Sequence, residues 1–169
     1  MTTDVIAEDP RWRGTGIESL ASRAVEATLD HLDLDPDDWN VTVLACDAAR
    51  IAALNARFRD TPAPTNVLSW PSVERSAAKR GARPEPPDGD PELGDIAISF
   101  ETCLAEARDG GISLEAHVLH LVIHATLHLL GYSHDGDSDA DLMEATETAI
   151  LHSLGVPDAH ARKETGKRP

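Results

Sequence analysis

Cysteines, aromatic residues and long apolar runs are all scarce in this chain. Of its 169 residues, two are cysteines and 4% are aromatic. Cys46 and Cys103 are too few and too far apart for a disulfide scaffold or a cysteine-based zinc knuckle, so we expect two small core thiols in a reducing cytoplasm. No window reaches the roughly 18 consecutive apolar residues of a membrane span. The first residues, MTTDVIAEDPRWRG, lack the apolar core of a secretory signal. The sequence therefore predicts a cytoplasmic protein outside the membrane and disulfide-rich classes.

Basic residues are also in the minority. Lysine and arginine total 15 against 30 aspartates and glutamates, which gives a net charge of −15. Because phosphate contacts usually dominate affinity for nucleic acids, this balance opposes nonspecific binding to them. At physiological salt, charges more than about 8 Å apart are largely screened, so the local charge of a cleft decides whether a nucleic acid is repelled there.

The acidic and basic residues are concentrated in short segments. The acids of segment 135–147 surround the start of a predicted helix, where they favour its dipole, and we interpret them as a solvated face. They are Asp135, Asp137, Asp139, Asp141, Glu144 and Glu147. The basic residues gather at Arg50, Arg57 and Arg59 and again at Arg75, Lys79, Arg80 and Arg83. We interpret the second basic group as part of a solvated loop, and the alternative is that it steers RNA.

Hydrophobic periodicity predicts strands interleaved with helices. Apolar and β-branched runs predict strands over 5–7, 40–46, 66–70 and 95–99. Apolar residues at helical spacing predict helices over 16–32, 48–58, 100–108, 114–130 and 138–154, with Asp47 as the cap of the second. This order predicts an α+β fold, in which a small, mixed, four-stranded sheet packs with about five to six helices.

The segment 72–92 interrupts this pattern and is called the excursion below. It is polar and contains Pro84, Pro86, Pro87 and Pro91, so we expect a mobile segment that does not pack. The tail 156–169 is expected to be loose. We therefore predict one domain over residues 1–169.

The histidines of the chain are clustered, since five of the eight fall between residues 117 and 134. His124 and His128 lie four residues apart on a strongly helical stretch, so they share one face at about 5–6 Å between Cβ atoms. Gly131 follows where a helix can end in a left-handed residue, and the next turn brings back His134. Three neutral imidazoles suit Zn²⁺ and leave a fourth position for water. The spacing predicts one zinc ion per chain, bound by a central helix and the loop after it.

Two further histidines, His117 and His120, continue the same helical stripe. We interpret both as packed or partly exposed side chains. The alternative for His120 is that it orients the ring of a metal ligand or lines the cleft.

Ala125 follows the first predicted ligand and bears on the class of enzyme. In the zinc peptidase motif H-E-x-x-H, that position holds the glutamate that acts as general base. A metallopeptidase is therefore disfavoured. A closed structural zinc site would need a fourth protein ligand, and neither cysteine is placed to supply it, so the three histidines favour catalysis.

Three blocks of the sequence resemble the bacterial YbeY endoribonucleases. HATLHLLGYSH, residues 124–134, is similar to that family's H-G-x-L-H-L-x-G-Y-D-H signature. LNARFRDTPAPTNVLSWP, residues 54–71, and LGDIAIS, residues 93–99, resemble two further blocks of the family in order and spacing. The similarity runs over most of residues 40–155. This chain departs from the pattern in having Ala125 for glycine, Ser133 for aspartate and Trp70 for phenylalanine.

The resemblance implies a metal-dependent, single-strand-selective endoribonuclease that acts in 16S rRNA maturation and ribosome quality control. It implies His124, His128 and His134 as the metal ligands and Arg59 as a catalytic residue in the cleft that faces the metal. The implied partners are the 16S precursor, the small ribosomal subunit and its proteins or an assembly GTPase, with neither membrane nor DNA. A non-catalytic ribosome-assembly factor with a structural metal site remains the alternative.

Overall fold

The computed structural model describes residues 3–59, 65–73, 75, 81–133 and 136–156, and at residues 58 and 59 the backbone alone. Its strands are β1 (Thr3–Ala7), β2 (Asn40–Cys46), β3 (Val67–Pro71) and β4 (Glu92–Ser99). Its α-helices are α1 (Ile17–His31), α2 (Ala48–Arg59), α3 (Phe100–Gly110), α4 (Leu114–Leu129) and α5 (Asp137–Ser153). Short 3-10 turns occupy Pro10–Trp12 and Pro36–Asp38.

The four strands form one mixed sheet in the order β1-β2-β4-β3. β1, β2 and β4 run parallel, and β3 runs antiparallel to β4. In the middle of the sheet Val43 pairs with Val5 on one side and with Ile96 on the other. This sheet and the five α-helices of the described residues confirm the predicted α+β fold.

The sheet separates two clusters of buried side chains. Alternate residues of β2 lie on opposite faces, so that Val41 and Val43 join the large cluster formed with α1 and α4. Cys46 joins the smaller cluster with Ile51 of α2 and Ala97 of β4. Both cysteines are buried and free, as expected, and burial raises the pKa of the Cys46 thiol to about 12. One face of the sheet is thus covered by helices that include α4, and the other face packs against α2.

Helix α4 is the central helix of the molecule. The Ser113 hydroxyl caps its first turn by accepting a hydrogen bond from the Ala116 amide at 3.0 Å. Apolar side chains cover most of its circumference, which is typical of a helix enclosed by other elements. The buried residues are Val118, Leu119, Leu121, Val122, Ile123, Ala125, Thr126, Leu127 and Leu129. The histidines occupy the remaining, half-buried stripe.

The end of α4 has the geometry that the glycine predicts. Gly131 adopts a φ of +102°, in the left-handed region. Its amide donates to the His128 carbonyl at 3.0 Å, and the Tyr132 amide donates to the Leu127 carbonyl at 3.0 Å. These two hydrogen bonds are those of a Schellman motif, which satisfies carbonyls at the end of a helix. The chain therefore turns sharply after the second predicted ligand.

Described residues of the excursion contact the rest of the fold, and Arg75 and Gly81 are two of them. The Arg75 guanidinium donates to the carbonyls of Leu129 at 2.8 Å and Leu93 at 3.2 Å, and its partial burial lowers the Arg75 pKa. The Gly81 amide donates to the Asp139 carboxylate at 2.6 Å. The expectation that this segment does not pack is wrong at both residues, because each donates a hydrogen bond to a residue that is distant in the sequence. Mobility elsewhere in the excursion and the single-domain organisation stay predictions.

Strand β4 is longer than predicted, since it begins at Glu92 rather than at residue 95. Gly94 lies within the added part and has a φ of +145°. A Cβ there would lie 2.2 Å from the carbonyl oxygen of Trp70 on the neighbouring strand. Glycine is thus required for the close approach of the two strands at this point.

No single helix of the described ranges is long and apolar enough to cross a membrane. Helices α3 and α4 reach that length and composition only as a pair, bent by 115°.

Candidate metal centre

Four histidines form a row along the half-buried stripe of α4. The ring centroids of His117 and His120 are 6.4 Å apart, and those of His120 and His124 are 6.5 Å apart. The rings of His124 and His128 are closer, at 4.6 Å between centroids. Spacings of three and four residues put these side chains on one side of the helix, as the sequence predicts. The row ends where the Schellman motif turns the chain.

The last two rings of the row meet through their Nε2 atoms. The Nε2 atoms of His124 and His128 are 3.2 Å apart. Two nitrogens that each bind one tetrahedral Zn²⁺ at about 2.0–2.1 Å would be separated by about 3.3 Å. The observed separation therefore fits two imidazole ligands of one ion.

A buried glutamate from α5 connects two of these histidines. Glu147 Oε2 lies 2.5 Å from His124 Nδ1, and Glu147 Oε1 lies 3.0 Å from His120 Nε2. Only 2% of the glutamate side chain is exposed. The carboxylate thus contacts the ring of a predicted ligand on the side opposite to the Nε2 pair.

Glu147 is one of the acids of segment 135–147 that the sequence predicts to form a solvated face, and for this residue the prediction is wrong. The buried residues of α5 are Met143, Thr146, Glu147, Ile150 and Leu151, at the spacing of one helix face. That periodicity alone assigns Glu147 to the buried side of the helix. The acids follow one another closely in the sequence, but they occupy different faces of the helix. Asp137 and Asp141 of the same run are exposed, in agreement with the prediction.

A second pair of carboxylate and imidazole lies at the other end of the row. Glu106 Oε1 is 2.8 Å from His117 Nε2 and accepts a hydrogen bond from the Asn66 side-chain amide at 3.0 Å. The Glu106 side chain is 40% exposed. His117 is therefore a packed, partly buried histidine that is tied to α3.

The remaining predicted site residues lie at the limits of the described structure. His134 is outside the described residues. Arg59 is the last residue of α2, and the structure describes its backbone there. Within the described ranges, no group of three or more histidines, cysteines and acids is arranged to hold a metal ion. The structure brings together His124 and His128, two of the three predicted ligands.

Comparisons with known proteins identify the class to which this chain belongs. A curated relative from Ruegeria sp. strain TM1040, named Endoribonuclease YbeY, is 54% identical over 95% of this chain and 96% of its own length. A relative of the same name from Paracoccus denitrificans is 52% identical over 96% of this chain and 91% of its own length. The solution structure of a Thermotoga maritima protein has the same fold, with a TM-score of 0.55 at 21% identity over 91% of this chain and 92% of that one. The chain is thus an RNA-cleaving hydrolase.

The family can be stated as well. The sequence model described as Endoribonuclease YbeY matches residues 6–155 of this chain. The chain belongs to the YbeY endoribonuclease family, and the predicted resemblance is confirmed.

Proposed function

We propose that this chain is a zinc-dependent, single-strand-selective endoribonuclease of 16S rRNA maturation and ribosome quality control in the cytoplasm. The observation that supports the metal dependence is the 3.2 Å separation of the His124 and His128 Nε2 atoms on the central helix. In this proposal His134 is the third ligand, and each chain binds one ion. Arg59 is the proposed catalytic residue.

The donor set fits zinc rather than a harder cation. Neutral imidazole nitrogens are preferred by Zn²⁺, whereas Mg²⁺ and Ca²⁺ prefer oxygen ligands. Three protein ligands leave a position open for chemistry. When bound, the ion supplies Lewis acidity toward a phosphoryl oxygen and lowers the pKa of bound water.

Arg59 provides the charge that an anionic substrate needs. Its guanidinium is a planar fork that matches two phosphate oxygens, and it stays protonated throughout the physiological range. The net charge of −15 makes such a local cation more important, because the chain as a whole repels RNA. For the same reason we propose that the small ribosomal subunit, its proteins or an assembly GTPase bring the 16S precursor to the enzyme.

A peptidase is disfavoured by the position of Ala125 in the structure as well as by its identity. Ala125 is buried in the core cluster, directly after His124. A general base would have to occupy this enclosed position, so the site has no counterpart of the peptidase glutamate.

The experiment compares wild type with Arg59→Ala, Arg59→Lys and His128→Ala on single-stranded RNA. Arg59→Ala is expected to slow cleavage by about 10²-fold or more, by analogy with the loss of one preorganised donor. Its zinc content should be unchanged, because arginine is not a ligand. Arg59→Lys should recover part of the rate, since a point charge does not reproduce the bidentate fork.

Two controls make this experiment decisive. Arg57→Ala removes an exposed arginine from the same helix and should leave the rate near wild type. His128→Ala should lose both zinc and cleavage. Equal cleavage by wild type, Arg59→Ala and His128→Ala would assign the activity to a contaminating nuclease. The non-catalytic assembly factor would then be the better hypothesis.

A further inference from the structure

We propose that Glu147 is a positioning residue, which fixes the tautomer and orientation of His124 so that its Nε2 lone pair faces the ligand site. This inference rests on the proposed zinc function and assigns a role to a residue outside the three ligands and Arg59. It follows from the two short contacts of a buried carboxylate, 2.5 Å to His124 Nδ1 and 3.0 Å to His120 Nε2.

The contacts with Glu147 bear on which nitrogen of each histidine ring carries a proton. An ionised carboxylate only accepts hydrogen bonds, so each ring nitrogen that contacts Glu147 donates its N–H. The proposal therefore assigns the proton of His124 to Nδ1. A neutral imidazole with a proton on Nδ1 has its lone pair on Nε2, and this is the atom that lies 3.2 Å from His128 Nε2. With this assignment the lone pair of His124 is on Nε2, the nitrogen that would bind the proposed ion.

The glutamate at position 147 needs an explanation, because this position of α5 is buried. Position 147 is on the buried stripe of α5, between Met143 and Ile150. An apolar side chain on such a stripe is often as stabilising as a buried charge, or more so, because it avoids the desolvation penalty. Stability alone therefore does not account for a glutamate here. A carboxylate that orients a ligand ring does, since such partners of metal-bound histidines raise ligand basicity and fix the ring.

His120 has a supporting part in this arrangement. By donating from Nε2 to Oε1, it holds one oxygen of the carboxylate and leaves Oε2 directed at His124. Through this contact His120 can influence the orientation of the ligand ring. It agrees with the alternative in which His120 acts on the orientation of a ligand ring.

The test compares Glu147→Gln with the matched control Glu106→Gln. Glu106 makes an equivalent contact with His117 on the same helix, but it does not touch His124. Zn²⁺ affinity of the metal-free protein is measured by competition with a chromogenic chelator. Glu147→Gln should bind Zn²⁺ about 10–100-fold more weakly than wild type, whereas Glu106→Gln should be within about threefold. Equal affinities of the two variants would overturn the inference.

A second measurement needs no variant and no metal. Nitrogen-15 NMR of the imidazole rings in the metal-free wild type reports which nitrogen of His124 carries the proton. The proposal requires the proton on Nδ1, and a ring protonated on Nε2 alone would overturn it even if Glu147→Gln does not fold. In folded Glu147→Gln the preference for Nδ1 should be reduced, which a purely structural role of Glu147 does not predict.

The failure of this inference is distinguishable from the failure of the proposed function. Wild-type protein that does not bind Zn²⁺ would contradict the proposed zinc site, while the ring tautomer would still test the role of Glu147. If wild type binds Zn²⁺ and Glu147→Gln binds it equally well, the zinc site is retained and Glu147 does not position its ligand.

Discussion

Replacing Gly131 with alanine adds a methyl group where the backbone of the excursion passes. A Cβ at this position would lie 2.1 Å from the carbonyl oxygen of Arg75 and 2.7 Å from its carbonyl carbon. It would also lie 3.0 Å from Pro84 Cβ. Both Arg75 atoms belong to the backbone, so the clash is not relieved by rotating a side chain. Either the excursion moves or the turn after α4 changes.

Two contributions set the size of the effect. A side chain in the left-handed region is unfavourable by about 1–2 kcal/mol, and Gly131 has a φ of +102°. Forcing an extra carbon into a packed region adds about 1–3 kcal/mol. The free energy of unfolding should therefore fall by about 2–5 kcal/mol. The matched control is Gly155→Ala, because Gly155 has a φ of +73° with nothing within 4 Å of its would-be Cβ. It should show the backbone contribution alone.

Equilibrium unfolding in urea measures both variants, and the shift of the midpoint at constant slope gives the change in free energy. Cleavage by trypsin after Arg75 gives an independent comparison, since displacement of the excursion should accelerate it in Gly131→Ala. Equal destabilisation by the two alanines would refute the reasoning, because it would mean that Arg75 does not pack against the turn.

Two further predictions concern charged groups. Arg75→Ala removes the donor to the Leu129 carbonyl and should lower the free energy of unfolding by about 1–3 kcal/mol; an unchanged urea midpoint would contradict the contact. Hydrogen bonds from Arg11 hold the pKa of Asp9 below its usual value. Asp9 therefore stabilises the fold above its unfolded pKa of about 3.9, and this stabilisation is lost as the pH falls through the lower folded pKa. Asp9→Asn should be less stable than wild type at neutral pH, and the difference should shrink in acid; a difference independent of pH would argue against it.

Features that depend on neighbouring residues in the sequence were predictable. β2 has the predicted bounds 40–46, since apolar alternation there buries Val41 and Val43 in the large cluster. Asp47 caps α2 as predicted, by accepting a hydrogen bond from the Arg50 amide at 2.7 Å. The end of α4 followed from Gly131, because the left-handed conformation favours glycine. These outcomes depend on local backbone preferences and on the period of burial.

Features that depend on contacts between distant segments were not predictable in the same way. Glu147 and His124 are 23 residues apart, and Arg75 and Leu129 are 54 residues apart. Nothing in the local pattern states which elements will face each other, so the partner of a polar side chain stays open until the fold is known. The burial of Glu147 was within reach of the helical period, but its contacts with two histidines were not.

The contacts that Arg75 and Gly81 of the excursion make have a consequence for the segment 131–139. Arg75 lies against Gly131 at one end of this segment, and Gly81 is hydrogen-bonded to Asp139 at the other. His134 falls between them in the sequence. Consider a molecule that binds more tightly when Gly131 and Asp139 are arranged as they are here. Its binding stabilises the contacts of Arg75 and Gly81 with these residues, and the contacts increase its affinity by the same factor. The contacts of Arg75 and Gly81 with this segment and the affinity for such a molecule are therefore linked, so that a change in one changes the other.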